Sequence, residues 1–547
     1  MLLSAIILVA VLVRVVAIDS QGLSSEEALS ILQADWSVGD MVLNPTDPTP
    51  FLYYALHKLL LAPDASLAAM RSISLVCGVL SVGLIYMVGR LAYGAGGGLL
   101  AAALLAVWSM PVGYSQEATP QSLLLFLTLL ASAGFLIYAR ALHPPSDERG
   151  TTGTGWGRIG LVMLGVGNVL SFYTHLVSLI WIALTSLMLV VLVARRRDRI
   201  IEVAILFVAM MLCAVPGVYR LVQQAMLSDG STWLHQRGLL GFVRLWAEIF
   251  LPFGAQGGSS ERGIAVSAPI RAAVMGAFMI GLGIAGWLGR RRLQAWLRAT
   301  PAVFWLVLAY LLVPVLTWLY GFAAHPILVG SNLLYAVPGV ILLITGLCLA
   351  LDRRAVAWAG CAAVLLYGLS LLATGTVRER ENWRAAYEYL ARAVTGGDVV
   401  AVCPFHDFSS LRYHANGPVN VPVVTRVDGS TIEIEAMLGT DPLWDQTLFQ
   451  AALYPHMTAF WSGKRAATNA SGAVTRLDLK PGQSVWRVDG HCGDKADDMD
   501  RVMSNARYDT GIVRYQDDTT HPGTIVIRQY RVNAPMTLEI RDATLNR

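Results

Sequence analysis

Two adjacent glutamates, Glu26 and Glu27, follow the first apolar run of the chain in the stretch GLSSEEALS. A carboxylate beside a hydroxyl group can orient it or remove its proton, so an acidic pair is a candidate for general-base chemistry. Acidic residues also stabilise the first turn of a helix, and Ser24 or Ser25 is a suitable residue to begin one. Neighbouring residues on a helix are separated by about 100°. We therefore expect one glutamate to face a site and the other to brace the loop.

The stretch DPTPFLYYALHK, residues 47–58, follows in the same polar segment. Its prolines, aromatic pair and basic end are typical of an amphipathic helix that lies on a membrane surface. We expect Tyr53 and Tyr54 to face the lipid headgroups, with His57 and Lys58 at the end of this helix.

Two further ionisable groups lie at the ends of apolar runs. Glu117, in YSQEATPQSLLLF, precedes one run and is expected to cap its entrance, whereas His175, in SFYTHLVSL, lies at the turn of a helical hairpin. Alone, an acid at an interface is commonly just solvated, and a histidine in a turn commonly packs. Together with the acidic pair, these groups favour chemistry at a membrane surface.

The composition identifies a protein that crosses a membrane many times. Its 547 residues are 55% hydrophobic and only 14% charged, and a net charge of +4 gives no support for nucleic-acid binding. Apolar runs of about 17 to 25 residues, long enough to span a bilayer, occur at about eleven places. They lie near 1–18, 72–91, 96–114, 120–139, 158–174, 176–194, 201–219, 266–288, 301–320, 329–350 and 355–374.

Arginines predict the orientation of these spans. They cluster in the loops on one side, as at 195–199 and 290–292, and the positive-inside rule assigns that side to the cytoplasm. The opposite, outer side then holds the 19–71 loop with the acidic pair, the 220–265 loop and the chain after about residue 375. The first apolar run lacks the basic start and small-residue exit of a cleaved signal peptide, so we expect it to be retained.

The chain divides into a membrane module, residues 1–374, and an extracytoplasmic α/β domain, residues 375–547. The α/β domain begins with the charged amphipathic helix NWRAAYEYLARAV. Strand-like stretches follow, such as GDVVAVCPF, SVWRVDG, GTIVIRQYRV and MTLEIRD. It contains Cys403 and Cys492, and a disulfide between them would suit an oxidising compartment.

The order of these motifs resembles the GT-C superfamily of integral-membrane glycosyltransferases, in the bacterial branch related to lipid A aminoarabinose transferases and protein O-mannosyltransferases. That branch has an Asp-Glu pair in its first external loop, then HPPLYY, YSQEARMYALL and YTHY, and a periplasmic domain that begins with a DWRAAARYL-like helix. The counterparts here are SSEEALS, TPFLYY, YSQEATPQSLL, YTHL and NWRAAYEYL, in the same order. The resemblance covers nearly the whole chain.

This resemblance implies an inverting glycosyltransferase of the bacterial inner membrane, with a polyprenyl-phosphate-linked sugar as donor. The acceptor would be a hydroxyl group of a lipid, glycan or protein at the outer face. Glu26 occupies the position of the family's catalytic aspartate and is the expected base, with Glu27 and Glu117 as supporting residues. The sequence does not require a cofactor, and it leaves undecided whether the reaction uses a divalent metal ion. The expected substrate-binding residues are Tyr53, Tyr54, His57, Lys58, His175, Arg220, His235, Arg237, Arg262 and His325.

Several family positions are changed in this chain. Thr49 replaces the histidine of HPPLYY, Thr119 an arginine and Gln121 an aromatic residue, while Ser331 and Asn332 replace an Arg-Tyr pair. A neutral side chain does not replace a phosphate-binding arginine. These changes therefore allow two alternatives. The protein acts on a different substrate, or it is an inactive or accessory homologue.

A transporter of lipid-linked sugars is a further alternative. Transporters commonly place ionisable groups near the bilayer midplane and contain inverted repeats. Here Arg14 is the clearest charge within a span, and the second half of the sequence does not repeat the first.

Overall fold

The protein is mainly helical, as given by a computed structural model. The structure describes residues 1–16, 18, 24, 26–27, 30, 34, 39, 41, 50–61, 66–142, 153–194, 196–227, 236–250, 276, 280–281, 283–284, 286–292, 294, 300–324, 326–351, 362–363, 365–370, 383–393, 399–403, 424–425, 431–432, 474–479, 481–482, 484–489, 508–509, 515–516, 526–532 and 536–541. Its helices are α1 (Leu2–Val15), α2 (Leu52–Leu60), α3 (Leu67–Val107), α4 (Ser109–Ser115), α5 (Gln121–Leu142), α6 (Gly153–Phe172), α7 (Ser178–Val193), α8 (Ile200–Leu227), α9 (Leu239–Ala247), α10 (Pro301–Ala323), α11 (Ala336–Leu349) and α12 (Trp383–Ala393).

Five segments of the described chain are long and apolar enough to cross a membrane. They are Leu67–Val107, Gln121–Leu142, Arg197–Val222, Pro301–Ala323 and Gly330–Leu349. Helices α1 and α7 are shorter and apolar. This is a multi-pass membrane protein, and the spans predicted at 266–288 and 355–374 lie largely outside the described residues.

The spans predicted at 72–91 and 96–114 belong to α3, which is broken at Gly94. Gly94 has a φ of 83°, a conformation that glycine adopts without the steric cost of a Cβ atom. The second half ends at Val107, earlier than predicted, because Trp108 is extended and starts a separate short helix, α4.

Arg14 stabilises the break between α3 and α4. It is fully buried, and its guanidinium donates to the carbonyls of Leu105 at 3.3 Å and Ala106 at 3.0 Å, which the end of α3 leaves without helical partners. It also donates to the Ser115 hydroxyl at 3.1 Å. The charge predicted within the first span therefore caps a helix.

Helices α5 and α6 pack at close range through glycines. A Cβ atom added at Gly160 would lie 2.6 Å from the Gly134 carbonyl oxygen, and one added at Gly134 would lie 2.5 Å from the Gly160 carbonyl oxygen. Small residues of this kind let helix backbones approach closely in membranes.

Gly160→Ala is therefore expected to lower the melting temperature of the protein in nanodiscs, because backbone atoms of α5 have to move. Gly155→Ala is the matched control, since Gly155 lies on the same helix and no atom of the described residues is within 4 Å of a Cβ added there. It is expected to leave the melting temperature unchanged or to raise it slightly through better helix propensity. Equal effects of the two substitutions would contradict this packing.

Strands occupy the described part of the chain after α12. They are β1 (Val399–Cys403), β2 (Val424–Thr425), β3 (Thr431–Ile432), β4 (Val474–Leu479), β5 (Ser484–Asp489), β6 (Tyr508–Asp509), β7 (Tyr515–Gln516), β8 (Val526–Val532) and β9 (Met536–Arg541). One sheet has the order β1-β5-β8-β6, with β1 parallel to β5, the others antiparallel and β7 also paired to β8. Strands β2 and β3 form one further antiparallel pair, and β4 and β9 another. The predicted disulfide lies outside the described residues, because Cys492 is not among them.

Candidate active site

A buried ion pair lies at the predicted outer end of the bundle. The Arg71 guanidinium, at the start of α3, donates from Nε to Glu27 Oε1 at 2.7 Å and from Nη2 to Oε2 at 2.8 Å. Both side chains are only 1% exposed. This two-bond geometry is the strong arrangement for arginine and a carboxylate.

Glu27 also helps to cap the start of the local helix. Its backbone N–H donates to the Ser24 hydroxyl at 3.3 Å, and the Ser24 N–H donates back to Glu27 Oε2 at 3.0 Å. This reciprocal pair is the capping box expected of a Ser-x-x-Glu sequence. The predicted helix start is therefore found at Ser24.

The same carboxylate reaches a third segment of the chain. The Ala118 backbone N–H donates to Glu27 Oε1 at 2.8 Å, and Arg71 donates to the Ile18 carbonyl at the end of the first apolar run. The ion pair thus joins SSEEALS to YSQEATPQ. Glu26 directly precedes Glu27 in the chain, and Glu117 directly precedes Ala118. Two further carboxylates therefore belong to chain neighbours of the residues that form the Ala118–Glu27 hydrogen bond.

The two adjacent carboxylates differ in environment. Glu26 is exposed, and its carbonyl accepts a hydrogen bond from the Ser30 hydroxyl at 3.0 Å. Glu117 is buried in the turn before α5. Both oxygens of Glu27 are occupied by the Arg71 guanidinium and backbone donors. Glu26 is therefore the member of the acidic pair that is open to a substrate.

The turn that carries Glu117 is held from two sides. Gln116 Nε2 donates to the Val16 carbonyl at 2.8 Å, which fixes the turn to the end of α1. The Thr119 carbonyl accepts from the Ser74 hydroxyl at 3.0 Å, and Ser74 also contacts the Tyr53 hydroxyl at 2.8 Å.

The prediction that Tyr53 and Tyr54 face the lipid headgroups is wrong, because both side chains are buried. Helix α2 packs them in a core cluster with Ile73 of α3 and with Leu123 and Leu127 of α5. The hydroxyl of Tyr53 finds its polar partner inside the protein, and burial together with nearby carboxylates raises its pKa well above the usual value.

His57 is likewise turned inward and is only 4% exposed. Burial lowers its pKa to about 4, although the Glu27 carboxylate acts in the opposite direction. The imidazole is therefore neutral at physiological pH in this structure, and the expectation that His57 binds substrate stays a prediction. Its Nε2 atom has no hydrogen-bond partner in the described part of the chain.

This neutral histidine predicts a pH-dependent stability. An unfolded-state imidazole has a pKa of about 6.5, so between pH 6.5 and 4 the unfolded chain binds the proton first. Stability present above pH 6.5 is lost progressively as the pH falls towards 4, by on the order of 3 kcal/mol. The measurement is the unfolding free energy of the wild type minus that of His57→Gln, because other groups titrate equally in both. A difference that is constant across this range would contradict the assignment.

The other candidate residues are distributed over several helices. His175 lies in the turn between α6 and α7, as predicted, and its Nδ1 accepts from the Val177 N–H at 3.2 Å. Arg220 was predicted to lie in a loop, but it is buried within α8. Lys58 is exposed and donates to the Ala34 carbonyl at 3.4 Å, and Arg237 is exposed just before α9. His235, Arg262 and His325 lie outside the described residues.

Arg71 and Ser74 were assigned no role from the sequence. The signal that could have identified Arg71 is its place in MRSISLV, at the predicted outer end of a span. An arginine on the same side of the membrane as two glutamates is a natural partner for one of them. In the described part of the chain, no group of three or more His, Cys, Asp or Glu side chains is arranged to hold a metal ion.

Comparisons with known proteins relate the chain to solved membrane enzymes through its fold. No protein-family model and no curated protein sequence matches it. The crystal structure of ArnT from Cupriavidus metallidurans in the apo state matches with a TM-score of 0.51 and 14% identity, over 96% of this chain and 97% of that one. The structure of the same ArnT bound to undecaprenyl phosphate matches with a TM-score of 0.48 and 15% identity, over the same shares of the two chains. The crystal structure of an Archaeoglobus fulgidus oligosaccharyltransferase matches with a TM-score of 0.45 and 12% identity, over 99% of this chain and 75% of that one.

The match to apo ArnT shows that the chain shares its overall fold. The structural resemblance predicted from the motifs is therefore confirmed at the level of fold.

Proposed function

We propose that the protein is an inverting glycosyltransferase that moves a sugar from a polyprenyl-phosphate donor to an acceptor hydroxyl. One observation carries this proposal. The buried Glu27–Arg71 ion pair fastens the acidic segment onto Ala118 and so brings the chain positions of Glu26 and Glu117 together at the helix ends. A pair of anchored carboxylates at a membrane surface suits a reaction whose donor stays in the bilayer.

The proposed reaction is a single displacement. The Glu26 carboxylate accepts the proton of the acceptor hydroxyl, and the hydroxyl oxygen forms a bond to the anomeric carbon. The bond from that carbon to the phosphate oxygen breaks, and polyprenyl phosphate leaves with the electron pair. Glu117 is proposed to position the acceptor, and Glu27 to brace the segment.

The carrier phosphate requires cations or backbone amides. We propose Lys58, Arg220 and Arg237 as described candidates, with His235, Arg262 and His325 as further ones, and Tyr53, Tyr54 and His175 as residues that shape the site. ArnT has been solved with undecaprenyl phosphate, a compound of the proposed carrier class.

We further propose about eleven spans and an extracytoplasmic α/β domain over residues 375–547. The protein would lie in the bacterial inner membrane with the acidic segment at its outer face. Membrane lipids, the lipid-linked donor and a lipid, glycan or protein acceptor are the proposed partners.

An inactive or accessory homologue is the second candidate function. Thr119 and Ser331 stand where the related enzymes carry arginines, and the Thr119 hydroxyl is buried without a hydrogen-bond partner in the described chain. Either other cations hold the phosphate, or no transfer takes place.

The test uses protein in lipid nanodiscs and in sealed proteoliposomes, with polyprenyl-phosphate sugars that carry a radiolabel in the sugar. We expect label to move from the carrier to a lipid, glycan or protein acceptor. Label that crosses the bilayer while still on its carrier would identify a transporter instead. Carrier that binds and keeps its label across a broad acceptor panel would support the accessory role.

A further inference from the structure

Tyr173, in the turn between α6 and α7, contacts two other helices through different groups. Its carbonyl accepts from the Leu52 N–H at 3.0 Å, and its ring packs against the Phe51 ring with centroids 5.3 Å apart. The first N–H groups of a helix have no partner within that helix, so the Tyr173 carbonyl caps the start of α2. The hydroxyl of the same residue reaches α8.

The Tyr173 hydroxyl is inserted into the backbone of α8. It donates to the Cys213 carbonyl at 2.6 Å and accepts from the Gly217 N–H at 3.3 Å. These two backbone groups are four residues apart, and an uninterrupted α-helix bonds such a pair to each other. Insertion of a side chain between them is a recognised cause of helix bending.

The same turn of α8 is weakened by Pro216. Proline has no N–H, so the Leu212 carbonyl loses its helical donor. The adjacent Gly217 admits close packing, since a Cβ atom added there would lie 2.4 Å from Phe172 Cε1 and 2.9 Å from Tyr173 Cε1. The direction of α8 beyond this turn therefore depends on its contact with Tyr173.

Arg220 lies one turn beyond Gly217 on α8. It is 7% exposed, whereas Val218, Tyr219 and Val222 are about half exposed, so the arginine is on the side of α8 that faces the protein. Gly217 and Arg220 are three residues apart, which is the spacing of neighbours on one helix face. The contact that sets the direction of this segment therefore also sets the position of Arg220.

Through α2, Tyr173 is connected to the turn that carries Glu117. The Tyr53 hydroxyl of α2 contacts the Ser74 hydroxyl at 2.8 Å, and Ser74 donates to the Thr119 carbonyl at 3.0 Å. The charge of Glu117 also acts on the Tyr53 hydroxyl. Tyr173 thus fixes α8 relative to an element that lies beside the carboxylates.

We propose that Tyr173 is a positioning residue that holds Arg220 in place for the carrier phosphate. This proposal rests on the proposed glycosyl transfer, in which Arg220 is a candidate to bind that phosphate. A guanidinium binds phosphate through two directed hydrogen bonds, so a small change in the course of α8 is expected to weaken the contact. Tyr173 acts through the backbone of α8 and is not itself a ligand of the phosphate.

The test measures the binding of farnesyl phosphate to protein in phosphatidylcholine nanodiscs, and the melting temperature of each variant without ligand. The variants are Tyr173→Phe, Arg220→Gln, their combination, and Pro216→Ala. Tyr93→Phe is the matched control, because the Tyr93 hydroxyl also donates to a carbonyl of another helix, that of Leu342 at 2.8 Å, at the predicted cytoplasmic end. Farnesol and phosphatidylglycerol are the control ligands.

Tyr173→Phe should weaken farnesyl phosphate binding by about 3- to 10-fold, and Arg220→Gln by about 10- to 100-fold. In the Arg220→Gln protein, the tyrosine substitution should change the affinity by less than about 2-fold, because substitutions that act through one group are not additive. Tyr93→Phe should lower the melting temperature to a similar extent as Tyr173→Phe and leave binding unchanged. Farnesol binding, which involves no phosphate, should be unaffected by every variant.

Pro216→Ala separates positioning from stability. Alanine supplies the N–H that the Leu212 carbonyl lacks, so the melting temperature should stay the same or rise. A more regular α8 carries Arg220 away from its position, so farnesyl phosphate should bind about 3- to 10-fold more weakly. This variant keeps every charged group and tests the proposal even where Arg220→Gln does not fold.

Several results would overturn the positioning role. They are no binding of farnesyl phosphate to the wild type, full additivity in the double variant, and unchanged affinity in Tyr173→Phe or Pro216→Ala. Displacement of farnesyl phosphate by an equal amount of phosphatidylglycerol would assign Arg220 to ordinary lipid headgroups and would also overturn it. Binding that depends on both residues without any label transfer would keep the positioning role and refute the proposed transferase. Transfer by the wild type that is insensitive to Tyr173→Phe and Pro216→Ala would do the reverse.

Discussion

Glu26→Gln is expected to slow sugar transfer by about 100- to 10,000-fold while donor binding stays within a few-fold of the wild type. The amide has nearly the shape of the carboxylate but cannot accept the acceptor proton. Glu26 is exposed, so its replacement leaves no buried group without a partner. The measurement is the turnover rate at saturating donor, with the melting temperature recorded for each variant.

Two further variants sharpen this prediction. Glu26→Asp should retain measurable transfer, because aspartate keeps a carboxylate that can accept the proton and shortens the side chain by only one methylene group. Glu202→Gln removes a carboxylate that pairs with Arg199 elsewhere on the protein and should leave the rate unchanged. If Glu26→Gln keeps its rate and Glu117→Gln abolishes it, the base is Glu117 instead.

Arg71→Leu is expected to have the largest effect on stability, about 3–5 kcal/mol in the free energy of unfolding. It leaves the Glu27 carboxylate, 1% exposed, without its cation. The acidic segment would then lose its attachment to Ala118, and transfer should fall together with stability. The measurement is unfolding in nanodiscs, monitored by thermal denaturation.

The matched control is Arg158→Leu, which breaks an ion pair whose arginine is 71% exposed. Pairs of that kind contribute about 1 kcal/mol or less. The double variant Glu27→Leu with Arg71→Leu should be more stable than Arg71→Leu alone, since it removes both charges together. A double variant that is no more stable than the single one would show that the ion pair is not the source of the effect.

The local features of the site could be predicted from the sequence. Ser24-x-x-Glu27 forms a capping box because its spacing alone fixes that geometry. The hairpin at His175 and the break near Gly94 follow from apolar run lengths and from the conformation that glycine permits. The order of the motifs likewise predicted the fold that the chain shares with apo ArnT.

The long-range contacts could not be predicted. Arg71 and Glu27 are 44 residues apart, and nothing in either local sequence selects the other as its partner. Tyr53 and Tyr54 have the composition of a membrane-surface helix, yet α2 buries them because α3 and α5 offer an apolar surface. Composition gives the amphipathic character of a helix, whereas its orientation depends on its neighbours in the fold.

The stereochemistry of the product tests the proposed mechanism most directly. Donor labelled with carbon-13 at the anomeric carbon would be incubated with the protein and acceptor, and the configuration of donor and product read by NMR. A single displacement assisted by one base predicts that the new glycosidic bond has the opposite anomeric configuration to the donor. Retained configuration, which requires a covalent intermediate on a second nucleophile, or label that never leaves the carrier, would contradict the account.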